Sequence, residues 1–267
     1  AYLAYPACVS IAHGVPVLVP TYAKDEFRLT VEELEKKVTP KTKAILIGYP
    51  NNPTGTIMDR ASLEKVAAFA KAHDLIVIAD EIYCDLTYEG QHTCFASLPD
   101  MQERTIVLNG FSKSYAMTGL RIGYVCAPRE ALEEIYKVHQ YEILCASTTS
   151  QYGAIEALRS CDDDVKAMYE EYAARREMIY QGLVDMGLTV FKPKGAFYIF
   201  PDISCTGMDE EEFCDRLLTE EKVGVVPGTC FGPQGRNHIR ISYAASRENI
   251  AEALKRMARF VKKYKKA

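Results

Sequence analysis

No apolar run in the 267 residues approaches the length of a membrane span, and a formal net charge of −4 with a pI near 5.8 lacks the basic excess that marks a nucleic-acid surface. Membrane and nucleic-acid partners are therefore not expected. The basic end, Lys262-Lys263-Tyr264-Lys265-Lys266, reads as the favourable cationic terminus of a last helix. The nine cysteines contain no Cys-x-x-Cys pair, and the five histidines are scattered without metal-ligand spacing, so neither a disulfide frame nor a zinc site is expected. Most cysteines, such as Cys84, Cys126 and Cys145, lie inside apolar stretches and read as reduced core residues of a cytoplasmic protein. Gly-x-Gly-x-x-Gly, the phosphate-loop lysine motif and Gly-x-Ser-x-Gly are also missing, which leaves nicotinamide, nucleotide and esterase chemistry without support. Ser62-x-x-Lys65 fits a serine-lysine acyltransferase pattern but sits in an ordinary amphipathic helix without companion motifs. The opening Ala1-Tyr2-Leu3-Ala4-Tyr5-Pro6 has neither an initiator methionine nor the regions of a signal peptide, and reads as a start in mid-domain.

What is present is a globular composition, 48% hydrophobic, long enough for a large core and for two domains. Residues 5–12 suit a short helix ended by His13-Gly14, and Val15-Pro16-Val17-Leu18-Val19 reads as a strand with Pro16 at an edge or early position. Thr30-x-x-Glu33 is a capping-box pattern for a helix through Val38. Ala44 to Ile47, Leu75 to Ala79 and Thr105 to Leu108 are apolar runs of strand length, separated by helical patterns such as the one capped by Asp59 with Leu63, Val66, Ala67 and Ala70 on one face. Strand, helix, strand at this spacing argues for an α/β fold with a mainly parallel sheet covered on both faces and right-handed crossovers. After a strand near Gly123, residues 128–141, 149–159 and 163–186 read as helices. Short strands near Thr189, Phe197, Val223 and Ile239, with helices from Asp209 and Ser246, suggest a smaller C-terminal α+β domain. The expected division is 1–162 for the large domain and 163–267 for the small one, which includes the connecting helix.

In such a sheet the segments after Ile47, Ala79 and Leu108 leave at one edge, where open α/β sheets place ligands. That topology is expected to gather Asn52, Asp80, Tyr83 and Lys113. A lysine there can condense with an aldehyde, and Arg121 can clamp an anion in a bidentate way that an ammonium cannot. Taken alone, a plain surface loop carrying two cations reads equally well.

The ordered set Asn52-Pro53-Thr54-Gly55, Asp80-Glu81-Ile82-Tyr83, Ser112-Lys113 with Arg121-Ile122-Gly123-Tyr124, and His238-Ile239-Arg240-Ile241-Ser242-Tyr243 resembles the signature of class I/II aminotransferases, fold-type I pyridoxal-phosphate enzymes. Pro193 to Tyr198 and Val226-Pro227-Gly228 are similar to small-domain loops of that family. The resemblance implies that pyridoxal 5'-phosphate condenses with Lys113, which then acts as the base at the substrate Cα. It implies that Asp80 pairs with the pyridine nitrogen, an interaction of roughly 4 kcal/mol at close range, enough to keep that nitrogen protonated. Tyr83 and Asn52 then hydrogen-bond the cofactor's phenolic oxygen, Arg121 holds the phosphate with Ser112 as a further donor, and Tyr2 stacks on the ring. Arg240, with Asn52 beside it, takes the substrate α-carboxylate. Two departures stand out: Gly110 occupies a position where many relatives carry a phosphate-binding serine, so that contact is expected to be lost or replaced by a backbone N–H, and the family's glycine-rich N-terminal segment has no counterpart in these residues.

The expected activity is transamination between a free α-amino acid and a 2-oxo acid, ping-pong through the pyridoxamine form, by a cytoplasmic homodimer of amino acid metabolism. A pyridoxal-phosphate β-lyase or synthase on the same fold is the alternative within enzymes, because these residues prepare a carbanion without dictating its fate. An aminotransferase-like effector domain of a transcription regulator is the alternative outside them. The stretch from Tyr136 to Cys145, with His139 and Tyr141, is read first as helix packing and second as a pocket lining.

Overall fold

Three apolar runs form the parallel part of a four-stranded sheet, and a fourth strand closes it in the opposite direction. The computed structural model describes residues 1–266 and divides them into two compact units. One comprises residues 29–50 and 57–169; the other comprises 1–28, 51–56 and the described residues from 170 onward.

In the first-named unit the order is α2 (Val31–Glu35), β1 (Ala44–Gly48), α3 (Arg60–Ala72), β2 (Ile76–Asp80), β3 (Thr105–Gly110), β4 (Gly123–Cys126), α4 (Arg129–Glu142), α5 (Thr148–Ser160) and the start of α6 (Asp162–Asp185). The sheet runs β1-β2-β3-β4, parallel except for the antiparallel β3–β4 pair. Asp59 caps α3 by accepting from Ser62 N at 2.7 Å, and the helix buries Leu63, Val66, Ala67, Phe69 and Ala70. Each of the larger of these side chains contributes about 1.5–3 kcal/mol of burial. Val77 and Ala79 are buried on one face of β2, while Ile76 on the other is exposed. The register matters most: Gly48 stands level with Asp80, and Asp80 with Leu108, so the C-terminal ends of β1, β2 and β3 form one edge.

The other unit holds α1 (Ala4–Ile11), the rest of α6, β5 (Tyr198–Ile199), α7 (Glu210–Arg216), β6 (Val226–Pro227), β7 (Ile239–Ser242) and α8 (Arg247–Tyr264). Its antiparallel sheet has the order β5-β7-β6, with Arg240 on the central strand opposite Val226. Ser246 caps α8 by accepting from Asn249 N at 3.2 Å, and the helix buries Ile250, Met257, Phe260 and Val261. Phe27, Phe200 and Phe231 form a second cluster of buried rings.

Several local expectations fail. Residues 15–19 are not a strand: Val15, Val17 and Leu18 are exposed, Pro16 lacks an amide donor, and the described residues supply no neighbouring ladder. Thr189 makes only an isolated bridge to Asp202. The helix after Thr30 ends at Glu35, and Thr30 makes no capping bond; its hydroxyl engages Glu32 instead. Cys126 and Cys145 are exposed, because β4 and the segment after α4 lie on an uncovered apolar face, while Cys84, in the turn after β2, is half-buried; Cys214 alone among the nine is buried. Tyr136 and Tyr141 likewise face solvent, and α4 buries no residue. Among the described residues no helix is long and apolar enough to cross a membrane, and no group of three or more His, Cys, Asp or Glu could hold a metal ion.

Candidate active site

The edge formed by β1, β2 and β3 carries the first cluster. Asp80 ends β2, and its Oδ1 accepts from Ile82 N at 3.1 Å, a short-range bond that turns the chain so that Tyr83 follows in a buried position. Beyond β3 the chain forms a tight loop in which Ala116 N donates to Lys113 O at 3.3 Å and Met117 N to Phe111 O at 3.1 Å. Ala116 and Arg121 both take positive φ, 53° and 49°, conformations that cost a non-glycine residue about 1–3 kcal/mol. The loop is anchored by Phe111, which packs with Ala154, Ala157, Tyr115, Met117 and Ile122.

This folding puts the Lys113 amine 5.9 Å from the centre of the Tyr83 ring. Burial, and after it the Arg121 guanidinium, lower the Lys113 pKa below the usual lysine range, while Asp80 pulls it the other way. Arg121 is exposed and donates from Nη1 to Thr118 O at 2.7 Å, which braces one arm of its fork. Ser112 is half-buried in the same loop. Asp80, Tyr83, Ser112, Lys113 and Arg121 therefore belong to one unit.

Gly110 has a packing reason. It pairs with Gly123 across β3 and β4, and a Cβ built on it would lie 2.8 Å from Gly123 Cα and 3.1 Å from Ile122 O. Its N–H donates to Asn109 Oδ1 at 2.7 Å, so this amide is engaged locally.

The second cluster is built in the other unit. Asn51 N donates to Thr56 O and Gly55 N to Asn51 O, both at 2.8 Å, and Lys194 N and Gly195 N donate to Gly55 O at 2.8 and 2.9 Å. Gly55 has φ of 71°, and a Cβ there would meet Pro193 Cβ at 2.3 Å, so the close approach of these two segments requires glycine. The clamped loop presents Asn52, whose Oδ1 accepts from Arg240 Nη1 at 3.0 Å. The assignment of Oδ1 follows from chemistry, since a guanidinium only donates; the Asn52 amide donors are turned away from it. The Arg240 guanidinium lies over the Tyr198 ring at 4.7 Å and over the Phe231 ring at 4.8 Å, and its buried Nε has no hydrogen-bond partner. Tyr2 belongs to this unit and packs against Tyr5 with ring centres 5.6 Å apart.

The sequence reading missed the two rings that Arg240 lies over. Tyr198 lies in the Pro193 to Tyr198 stretch noted for its family resemblance, and Phe231 follows Val226-Pro227-Gly228 closely, so an aromatic beside each family-like loop was the available signal.

Comparison with known proteins bears on the whole arrangement. The family model described as aminotransferase class I and II matches residues 1–257. The chain is 48% identical to the putative aminotransferase YugH of Bacillus subtilis, over 98% of this chain and 68% of that protein. It is 46% identical to aromatic-amino-acid aminotransferase 2 of Thermococcus litoralis, over 99% of this chain and 69% of that one. The crystal structure of an aromatic aminotransferase from Pyrococcus horikoshii OT3 superposes with a TM-score of 0.97 at 47% identity, covering 98% of this chain and 71% of its own. With the four ordered motifs on the two clusters just described, the chain belongs to the class I and II aminotransferases, enzymes that use pyridoxal phosphate to exchange an amino group between an amino acid and a 2-oxo acid.

Proposed function

We propose that the two clusters divide the work of transaminating a free α-amino acid with a 2-oxo acid, one attending to the cofactor and the other to the substrate carboxylate. The donor set fits pyridoxal phosphate: a lysine whose ammonium is disfavoured, a carboxylate, a buried phenol and an exposed arginine answer its aldehyde, ring nitrogen, phenolic oxygen and phosphate. When bound, that cofactor supplies an aldehyde to take up the amino group and a ring that accepts the electron pair left on the substrate Cα. Lys113 Nζ is the nucleophile toward the aldehyde and, as a neutral amine, the base that removes the Cα proton. Asp80 holds the proton on the ring nitrogen. Tyr83 donates to the phenolic oxygen, and Arg121 with Ser112 holds the phosphate. Arg240, oriented by Asn52 and the two rings, takes the α-carboxylate common to amino and oxo acids. Tyr2 supplies the ring that stacks on the cofactor. In functional terms residues 1–162 carry the cofactor groups and residues 163–267 the carboxylate clamp.

The observation that carries this reading is the half-buried Lys113 amine with its pKa lowered by burial and Arg121, in reach of Asp80's charge. The test is to load the chain with pyridoxal phosphate, reduce with borohydride, and map the label. Label on Lys113, with amino-group transfer that depends on an added 2-oxo acid, supports the assignment. Label elsewhere, or pyruvate and ammonia released from a β-substituted amino acid without an acceptor, refutes it in favour of another lysine or of a lyase.

A homodimer and a cytoplasmic location complete the proposal. Tyr136, Tyr141, Leu144 and Tyr152 are 60–87% exposed, an apolar load that supports burial against another chain. All nine cysteines are free, in keeping with a reducing compartment. Light scattering across a concentration series tests the dimer.

A further inference from the structure

The residue directly after Asp80 carries a second carboxylate, and it faces the interior. The Glu81 side chain is only 7% exposed, and both of its oxygens are engaged. Oε1 accepts from Phe95 N at 2.8 Å, and Oε2 lies 2.9 Å from His92 Nε2. The Glu81 amide donates to Leu108 O at 2.9 Å, carrying the β2–β3 ladder one residue past Asp80. Asp80, Glu81 and His92 line one cavity of about 20 Å³ together with Tyr49, Thr87 and Gln91, room for about one water. Cys94, on the same returning segment, has its thiol pushed up first by burial and then by the Glu81 carboxylate.

A buried carboxylate costs several kcal/mol unless it is paired and hydrogen-bonded, and an apolar side chain of similar volume avoids that cost altogether. Stability alone therefore does not account for Glu81. What the pair does geometrically is fasten the 91–95 segment to the single residue that begins the turn from Asp80 to Tyr83. We infer that Glu81 and His92 are positioning residues: they fix the Asp80–Tyr83 turn and so the direction in which Asp80 presents its carboxylate, and Tyr83 its hydroxyl, to the cofactor. The inference rests on the proposed roles of Asp80 and Tyr83.

The test uses the full chain loaded with pyridoxal phosphate and compares Glu81→Leu, Glu81→Gln and His92→Leu. The readouts are the pH titration of the cofactor's visible absorbance, kcat and KM separately, and amide exchange over residues 91–95 without cofactor. Glu81→Leu is expected to shift the absorbance titration by about one pH unit. It should lower kcat on the order of 10²-fold, the scale of a displaced catalytic group, with KM within about threefold. Glu81→Gln can still accept from Phe95 N and bond His92, so it restores the titration and most of kcat. His92→Leu leaves the Glu81–Phe95 bond in place and alters a half-buried residue, so it carries the test if Glu81→Leu does not fold; it should shift the titration in the same direction with faster exchange over 91–95. Leucine variants that unfold more easily but keep the parent titration and kcat would overturn the inference in favour of a purely structural role. Asp80→Asn separates the two levels: if it leaves the absorbance titration unaltered, the assignment of Asp80 fails, whatever the pair does.

Discussion

Replacing Arg240 by lysine keeps the charge and removes three things that the structure shows or prepares. The first is the bond from Nη1 to Asn52 Oδ1 at 3.0 Å, and charged hydrogen bonds of this kind are worth about 1.5–3 kcal/mol. The second is the planar fit over the Tyr198 and Phe231 rings at 4.7 and 4.8 Å, worth about 0.5–2 kcal/mol, of which an ammonium keeps a part. The third is the fork that meets a carboxylate with two parallel bonds. A loss of about 3–4 kcal/mol corresponds to roughly 10²–10³-fold in kcat/KM. Because the α-carboxylate is shared by both substrates of a ping-pong cycle, the loss should fall equally on the amino acid and the oxo acid, chiefly through KM. Steady-state kinetics with each substrate varied in turn measures this. A drop confined to one substrate, or a change under about threefold in both, would refute the carboxylate assignment.

Lys113→Ala should abolish borohydride labelling and transamination, and the lysine also leaves a signature in the cofactor-free protein. Its pKa in the fold lies below the ordinary 10.5, so below both values the fold carries the full cost of the disfavoured ammonium. Between them the unfolded chain binds the extra proton; stability therefore rises with pH through that window, and Lys113→Met should flatten this slope in urea titrations. Glu171 is held at about 2 by Arg247 and Arg175, so its stabilisation is present above the ordinary carboxylate range and lost as pH falls toward 2; Glu171→Gln should flatten the acid limb of the unfolding midpoint between about pH 4.5 and 2. Gly110→Ser sets a Cβ 2.8 Å from Gly123 Cα and should destabilise the protein by about 1–3 kcal/mol without tightening cofactor binding, read from urea unfolding and a cofactor titration.

The strands with runs of apolar residues were legible because a buried sheet needs little else: Ala44 to Ile47, Leu75 to Ala79 and Thr105 to Leu108 all became β1, β2 and β3 with ends shifted by one or two residues. Helix starts were legible where one side chain decides them, as with Asp59 and Ser246, whose capping bonds are present. Thr30 shows the limit of that reasoning, since it makes no capping bond and its hydroxyl engages Glu32. Residues 15–19 failed for a different reason. A strand is defined by its neighbour, and alternating Val, Pro and Leu carry no information about whether a partner exists among the described residues. The cysteines failed similarly: an apolar setting in sequence does not reveal that β4 and the end of α4 are uncovered.

For the candidate site, the groups with reactive heads were legible and their supports were not. Lys113, Asp80 and Arg240 stand out as polar residues at the ends of or within apolar strands. The Tyr198 and Phe231 rings, by contrast, reach Arg240 from separate segments, and Asn52 reaches it across 188 residues of chain. Glu81 was hidden because a carboxylate next to another in sequence is read as solvated, and only the returning segment with Phe95 N and His92 makes it an interior residue.

The placement of these groups follows the demands on each. In its proposed role Asp80 has to keep one geometry throughout a cycle, and it ends a strand paired on both sides, with Gly48 and Leu108 in register. Arg240 stands on the central strand of its own sheet between β5 and β6. The role proposed for Lys113, first to hold the cofactor and then to leave it and act as a base, requires a group that is not locked in a ladder. Lys113 accordingly sits in a loop closed by the long bonds Ala116 N to Lys113 O at 3.3 Å and Phe111 N to Ile122 O at 3.4 Å, with Ala116 and Arg121 in left-handed conformations. Ala116→Gly removes the Cβ that makes a φ of 53° costly in that loop, and should raise stability by relieving that strain while leaving the absorbance titration assigned to Asp80 in place, since the strain lies on the lysine's loop and not on the strand that holds the carboxylate.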